Sequence, residues 1–160
     1  DPQQSLPKLK NAVEALKGKL GPVLFQLPPN FHYNCKRLKT FVSALPDNYR
    51  YAFEFRDPDW LRDEAYRTLS DANAALVIHD MPGIDIPKKI TASFTYIRFH
   101  GAEQPYQGKY NKQQLAGWAG AISTWMQKGV DVYCYFNNDQ NSHAVENALE
   151  LKDMLTANIS

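Results

Sequence analysis

An excess of either charge is missing from this chain: 18 Lys and Arg stand against 17 Asp and Glu, a formal charge of +1 over 160 residues. No overall field therefore draws it to nucleic acid or to an anionic membrane surface. Cysteine is nearly absent. Cys35 and Cys134 lie in no C-x-x-C or other metal-ligand spacing, which excludes a disulfide framework and a cysteine zinc site and predicts free thiols in a reducing cytosol. Apolar runs are short. The longest, such as Ala74-Ala75-Leu76-Val77-Ile78, fall far below the roughly 20 residues that cross a bilayer, so no membrane span and a cytoplasmic location are expected. A P-loop, a dinucleotide fingerprint and a Ser or Cys nucleophile motif are also lacking, which removes several reaction classes without naming one. The chain opens Asp1-Pro2-Gln3-Gln4 without Met or a signal peptide, and so reads as the remainder of something longer. Asn158-Ile159-Ser160 fits a glycosylation sequon that chance explains.

What is present suffices for one core. Hydrophobic residues make up 44% of the chain, with no repeat, low-complexity stretch or linker, so residues 1–160 read as a single α/β domain. Leu9, Val13, Leu16 and Leu20 recur at helical spacing and predict a helix ending near Gly18 or Gly21. Gly21 to Leu27, stopped by Pro28-Pro29, is a short apolar run with the pattern of a strand buried on both faces. Further strands are predicted over 50–55, 75–79, 93–99 and 130–136, and helices over 35–45, 60–72, 111–128 and 142–155. Alternation of this kind implies βα units and a parallel sheet. The longer, Pro-, Gly- and Asn-rich connections follow the strands, which places the working loops at the strands' C-terminal ends.

Side chains alternate between the faces of a strand. One face carries Tyr51, Phe53 and Phe55, then Ile97 and Phe99, then Val132, Cys134 and Phe136; it suits packing on helices. The other carries Ala52, Glu54 and Arg56, then Tyr96, Arg98 and His100, then Tyr133, Tyr135 and Asn137. It is small or aromatic early in each strand and polar late, with Gln26 and His79 extending the set. An open doubly wound sheet wants both faces apolar along its central strands, whereas a barrel has a mouth that tolerates polar groups. A TIM-type (β/α)8 barrel is therefore expected, with Glu54, Arg56, His79, Asp80, Arg98, His100, Asn137 and Asn138 converging at its mouth.

The runs Gly21-Pro22-Val23-Leu24-Phe25-Gln26-Leu27-Pro28-Pro29, Phe53-Glu54-Phe55-Arg56 with Trp60, Tyr96-Ile97-Arg98-Phe99-His100-Gly101, and Tyr135-Phe136-Asn137-Asn138 with Ala144, Asn147 and Ala148 resemble the YecE-like proteins, domain of unknown function 72. The resemblance implies a TIM-type barrel of which this chain supplies about five βα units, strands four to eight. That family's first three strands, with a Gly-Trp-containing opening, have no counterpart in this sequence, so a missing N-terminal segment or self-association through exposed sheet edges is expected.

The function expected is that of an enzyme, a hydrolase, lyase or isomerase, acting on a small anionic, phosphorylated or polyhydroxyl, compound. Glu54 is the candidate acid–base group and His100 a second proton carrier. Arg56 and Arg98 are candidate anion clamps and Asn137 an orienting amide, with Gln26, Trp60, His79, Asp80, Tyr106, Tyr110, Tyr135 and Asn138 as further candidate substrate contacts. Arg98, His100, Gly101, Lys109 and the Asn137-Asn138 pair fall where barrels often build a phosphate site. Glu54, His79, Asp80 and His100 include metal-ligating atoms, but their spacing carries no ligand signature, and neither a metal nor another cofactor is expected. The stretch Gly101–Tyr110 suits a lid or a stacking platform. Trp118 and Trp125, seven apart, read as core. The alternative function is nucleic-acid binding or processing through the same arginines and tyrosines.

Overall fold

The computed structural model describes residues 2–81 and 83–157, with side chains from Leu6 onward; the Asn158-Ile159-Ser160 sequon lies outside the described residues. A helix α1 (Pro2–Glu14) leads into β1 (Val23–Leu27). Then come α2 (Cys35–Ser43), β2 (Tyr51–Phe55), α3 (Asp63–Asp71), β3 (Ala75–His79), β4 (Phe94–Phe99), α4 (Lys112–Gln127), β5 (Asp131–Phe136) and α5 (His143–Ala157). Side-chain caps set several helix starts. Asn34 accepts from the Arg37 amide before α2 at 2.9 Å, and Asn111 and Gln114 close a reciprocal capping box on α4 at 2.9 and 2.8 Å.

The five strands form one sheet in the order β1-β2-β3-β4-β5, every neighbouring pair parallel. The expected parallel α/β arrangement is thus present. Among the described residues the sheet is open: β1 and β5 are its edges and do not pair with each other. Edge position also explains a difference from the sequence reading. The strand expected to be buried on both faces is β1, yet its residues are only part-buried and Gln26 is exposed, because one flank of an edge strand has no neighbour. The opening helix differs too. It begins at Pro2 and includes Pro7, and of the apolar stripe only Val13 is buried while Leu16 is 51% exposed.

Among the described residues helices cover one face only. There Phe53, Phe55 and Leu76 pack under α2 and α3 against Leu38, Val42 and Leu69, and Ile97 and Phe99 pack under α4 and α5 against Leu115, Ile122 and Leu151. Trp118 stands edge-on to Phe99 at 5.0 Å, and both it and Trp125 pack against this second cluster. Each large side chain so buried contributes about 1.5–3 kcal/mol. The opposite face holds a separate cluster of Ala52, Ala75, Val77, Phe94 and Tyr96, flanked by Leu24 and Tyr133.

That second face is strongly curved. Arg50, just before β2, donates to Asp131 at 2.7 Å and to the Tyr133 hydroxyl at 2.8 Å on β5, although β2 and β5 are three strands apart and would lie about 14 Å apart in a flat sheet. Arg98 on β4 likewise reaches Gln26 on β1 at 3.1 Å. The sheet curls into a trough whose concave side carries the alternate residues predicted from parity. No described helix is long and apolar enough to cross a membrane, and both thiols are free, with burial pushing Cys134 up to about 12.

Candidate functional site

At the C-terminal end of the trough Glu54 is completely buried. Its Oε1 accepts from Arg56 Nε and its Oε2 accepts from Arg98 at 2.7 Å, so one carboxylate is shared between two guanidinium groups from different strands. Arg56 also meets the Met81 thioether and points its Nη2 at His100 Nε2, 2.9 Å away. A guanidinium can only donate, so Nε2 accepts, and in the neutral ring the proton sits on Nδ1. Burial first, then the two arginines, pushes His100 down to about 4, which keeps the imidazole neutral near pH 7. Its Nδ1, buried, has no hydrogen-bond partner among the described residues. Two guanidiniums against one carboxylate leave the cluster with an uncompensated positive charge.

His79 stands edge-on to His100 at 5.7 Å. Its Nε2 contacts the Phe55 carbonyl at 3.0 Å, its Nδ1 is also without a partner among the described residues, and burial lowers its pKa. Arg98 holds Asn137 Oδ1 at 3.2 Å and Gln26 at 3.1 Å, and Tyr135 stacks on Tyr96 at 4.6 Å while remaining 41% exposed. Gln26, Glu54, Arg56, His79, Arg98, His100, Tyr135 and Asn137 therefore gather along one end of the trough. Tyr106 caps the group, its ring edge-on to His100 at 5.5 Å.

The remaining candidates take other places. Asp80 accepts from the His100 amide at 2.8 Å and from the Tyr110 hydroxyl, which itself accepts from the Gly101 amide at 2.8 Å. Burial raises Asp80 and Tyr110 alike. This trio fixes the loop after β4. Asn138 is fully buried and donates to the Gly108 carbonyl at 3.0 Å and to Asn147 at 3.1 Å, so it braces the same loop from behind. Lys109 is ion-paired with Glu146 and Glu150 of α5 at 2.8 and 3.3 Å. Trp60 is buried on the helix-covered side, stacked on Phe55 at 4.9 Å. Glu54, His79, Asp80 and His100 do not bring three ligand atoms together, whereas His32, Asp57 and Asp59 do. The sequence reading passed over that last group, Met81 and the bracing role of Asn147; the Asp-x-Asp pair directly after Arg56 was the available sign of the first.

A cavity of about 630 Å³ lies at the other end of the strands and is lined by Val42, Arg50, Thr68 and Asn73 among others. Chemistry is better supplied by the buried charges at the strands' C-terminal ends, where parallel α/β sheets bind their ligands.

This chain resembles known proteins over its whole length. The family model described as "Protein of unknown function DUF72" matches residues 1–160. The UPF0759 protein YunF of Bacillus subtilis (strain 168) is 30% identical over 170 residues, covering 86% of this chain and 58% of that protein. A crystal structure of a DUF72 family protein from Thermotoga maritima matches with a TM-score of 0.86 at 26% identity, over 98% of this chain and 66% of that one. A DUF72 family protein from Enterococcus faecalis matches at 0.80 and 22% identity, over 97% and 65%, a likeness of fold. The chain thus spans between 58% and 66% of the length of these relatives. Sequence match and fold agree: the chain belongs to the DUF72 family.

Proposed function

We propose that the C-terminal end of the trough binds a small anionic compound, phosphorylated or polyhydroxyl, and performs acid–base chemistry on it, as a hydrolase, lyase or isomerase would. The observation that carries this reading is the pairing of one buried carboxylate with two guanidiniums beside a neutral imidazole. The surplus cation favours an anion. An anion that takes Arg98, whose side chain is 16% exposed, releases Glu54 Oε2 to accept a proton. His100 Nδ1–H is left as a buried donor for a ligand oxygen, with Asn137 and Gln26 orienting Arg98.

Calorimetric titration of the protein with inorganic phosphate and a panel of sugar phosphates tests the proposal. Arg98→Ala is expected to lower affinity tenfold or more. Unchanged affinity for every phosphorylated compound that binds the parent, or no binding by the parent, overturns it. The nucleic-acid alternative gains no support from the geometry: Arg56 is buried against Glu54, Tyr110 is buried, and of the two arginines only Arg98 is part-exposed, one cation where a phosphate backbone needs several.

We further propose that the five parallel strands correspond to strands four to eight of a closed (β/α)8 barrel, with a loop in place of a helix between β3 and β4 among the described residues. Helices on one face only, the curl that brings β2 to β5, and two unpaired edge strands support this reading.

A further inference from the structure

We infer that His79 and His100 together bind one alcohol hydroxyl of the ligand, His100 giving it a hydrogen bond and His79 taking one from it. This deepens the function proposed above and rests on it for the place of the site, but not for the charge of the ligand.

Each ring has one nitrogen committed to a partner of known polarity, and that partner fixes the other nitrogen. His79 Nε2 meets the Phe55 carbonyl at 3.0 Å. A carbonyl only accepts, so Nε2 carries the hydrogen and Nδ1 of the neutral ring presents a lone pair. Burial, which lowers the His79 pKa, keeps that ring neutral. His100 is wired the other way. Its Nε2 lies 2.9 Å from Arg56 Nη2, a group that can only donate, and its hydrogen is therefore on Nδ1. Both Nδ1 atoms are buried without a hydrogen-bond partner among the described residues, on residues 2% and 0% exposed. One is an unmet acceptor and the other an unmet donor, each costly to leave unpaired.

The opposite polarities select the ligand group. Ionised phosphate and carboxylate oxygens only accept and an ammonium only donates, so either satisfies one ring alone; a hydroxyl serves both. An oxygen on hydrogen bonds of about 2.8 Å bridges nitrogens up to about 5.6 Å apart, a reach suited to rings whose centroids are 5.7 Å apart with planes at 80°. There is also room beside them. His79 lines a cavity of about 550 Å³ with Asp80, Met81, Asp85, Lys88 and Trp118, a volume in the range of small-ligand sites.

Nuclear magnetic resonance of protein carrying isotope-labelled histidine tests the pair. His79 should hold its proton on Nε2 and His100 on Nδ1. Glycerol phosphate is expected to move both Nδ1 resonances and to bind at least tenfold more tightly than propyl phosphate, which has the same charge and no hydroxyl; the preference should vanish in His79→Leu. Glycerol, uncharged, should move the same two resonances at higher concentration. The resonance measurements use the parent protein and need no variant. Propyl phosphate binding as tightly as glycerol phosphate overturns the hydroxyl inference and leaves the anion reading standing, whereas glycerol moving both resonances and binding as tightly as its phosphate supports the inference and removes the anion. The opposite tautomer at either ring, or resonances that respond to neither alcohol and so leave water as the partner, overturns the inference.

Discussion

Arg98 on β4 donates a 2.7 Å hydrogen bond to Glu54 on β2 over the top of β3, the strand that separates them. The bond exists because the sheet curls, and it makes Glu54 the electrostatic link between β2 and β4. Removing this carboxylate strands two guanidiniums in a buried setting. Glu54→Ala is expected to cost about 3–5 kcal/mol of unfolding free energy, read from urea denaturation. Arg98→Met should cost less, because Arg56 still pairs with Glu54; equal losses would show that the two arginines do not share the carboxylate.

Stability should depend on pH through His100. Its folded pKa of about 4 lies below the ordinary 6.5, so between those values the unfolded chain takes up a proton that the folded one refuses. The contribution is complete above pH 6.5 and is lost as pH falls towards 4, by about 3 kcal/mol in all at roughly 1.4 kcal/mol per unit. His79 acts in the same sense, and Asp80, raised by burial, in the opposite one. Urea midpoints measured from pH 7 to pH 4 should fall more steeply for the parent than for His100→Gln. Parallel curves would sink the assignment.

Tyr110→Phe deletes one hydroxyl that serves both Asp80 and the Gly101 amide. Leaving a buried carboxylate and an N–H short of partners costs about 1–3 kcal/mol. Hydrogen exchange should accelerate at Gly101 while β2 stays protected. Uniform acceleration would mean that the hydroxyl supports the whole domain rather than this loop.

Gly101 adopts a φ of +129°, and a Cβ there would run into the backbone carbonyls of Gln107 and Gln104. Gly101→Ala is therefore expected to lower the melting temperature and to disturb Tyr106 against His100, a strain of about 1–3 kcal/mol. An unchanged melting temperature would contradict the tight return of the loop.

Much of this was legible from alternation alone. Ala52, Glu54, Tyr96 and Arg98 face the trough as parity requires, because a strand offers only two directions, and the same rule separates Asn137 in the cluster from Asn138 behind it. The half-exposure of β1 could not be read from its apolar run, which looks the same whether one flank of the strand is paired or open. Nor could the sharing of Glu54, which depends on curl across β3. His32 meets Asp57 and Asp59 only because Trp60 gathers Phe31 and Tyr33 around itself, a contact between distant segments that leaves no periodic trace.

Asn147 of α5 accepts from the Tyr110 amide and donates to the Tyr110 carbonyl, both at 3.0 Å, as a neighbouring peptide would. The far end of the 101–110 loop is thereby stapled to a helix, and its near end is anchored through Asp80. Between these anchors the loop folds back on itself, the Tyr106 amide on the His100 carbonyl and the Gln107 amide on the Gln104 carbonyl at 2.9 Å, with the Tyr106 ring half-exposed beside His100. The cover over the imidazole is thus a single aromatic side chain on a backbone pinned at both ends, so a substitution there alters the covering without touching a helix.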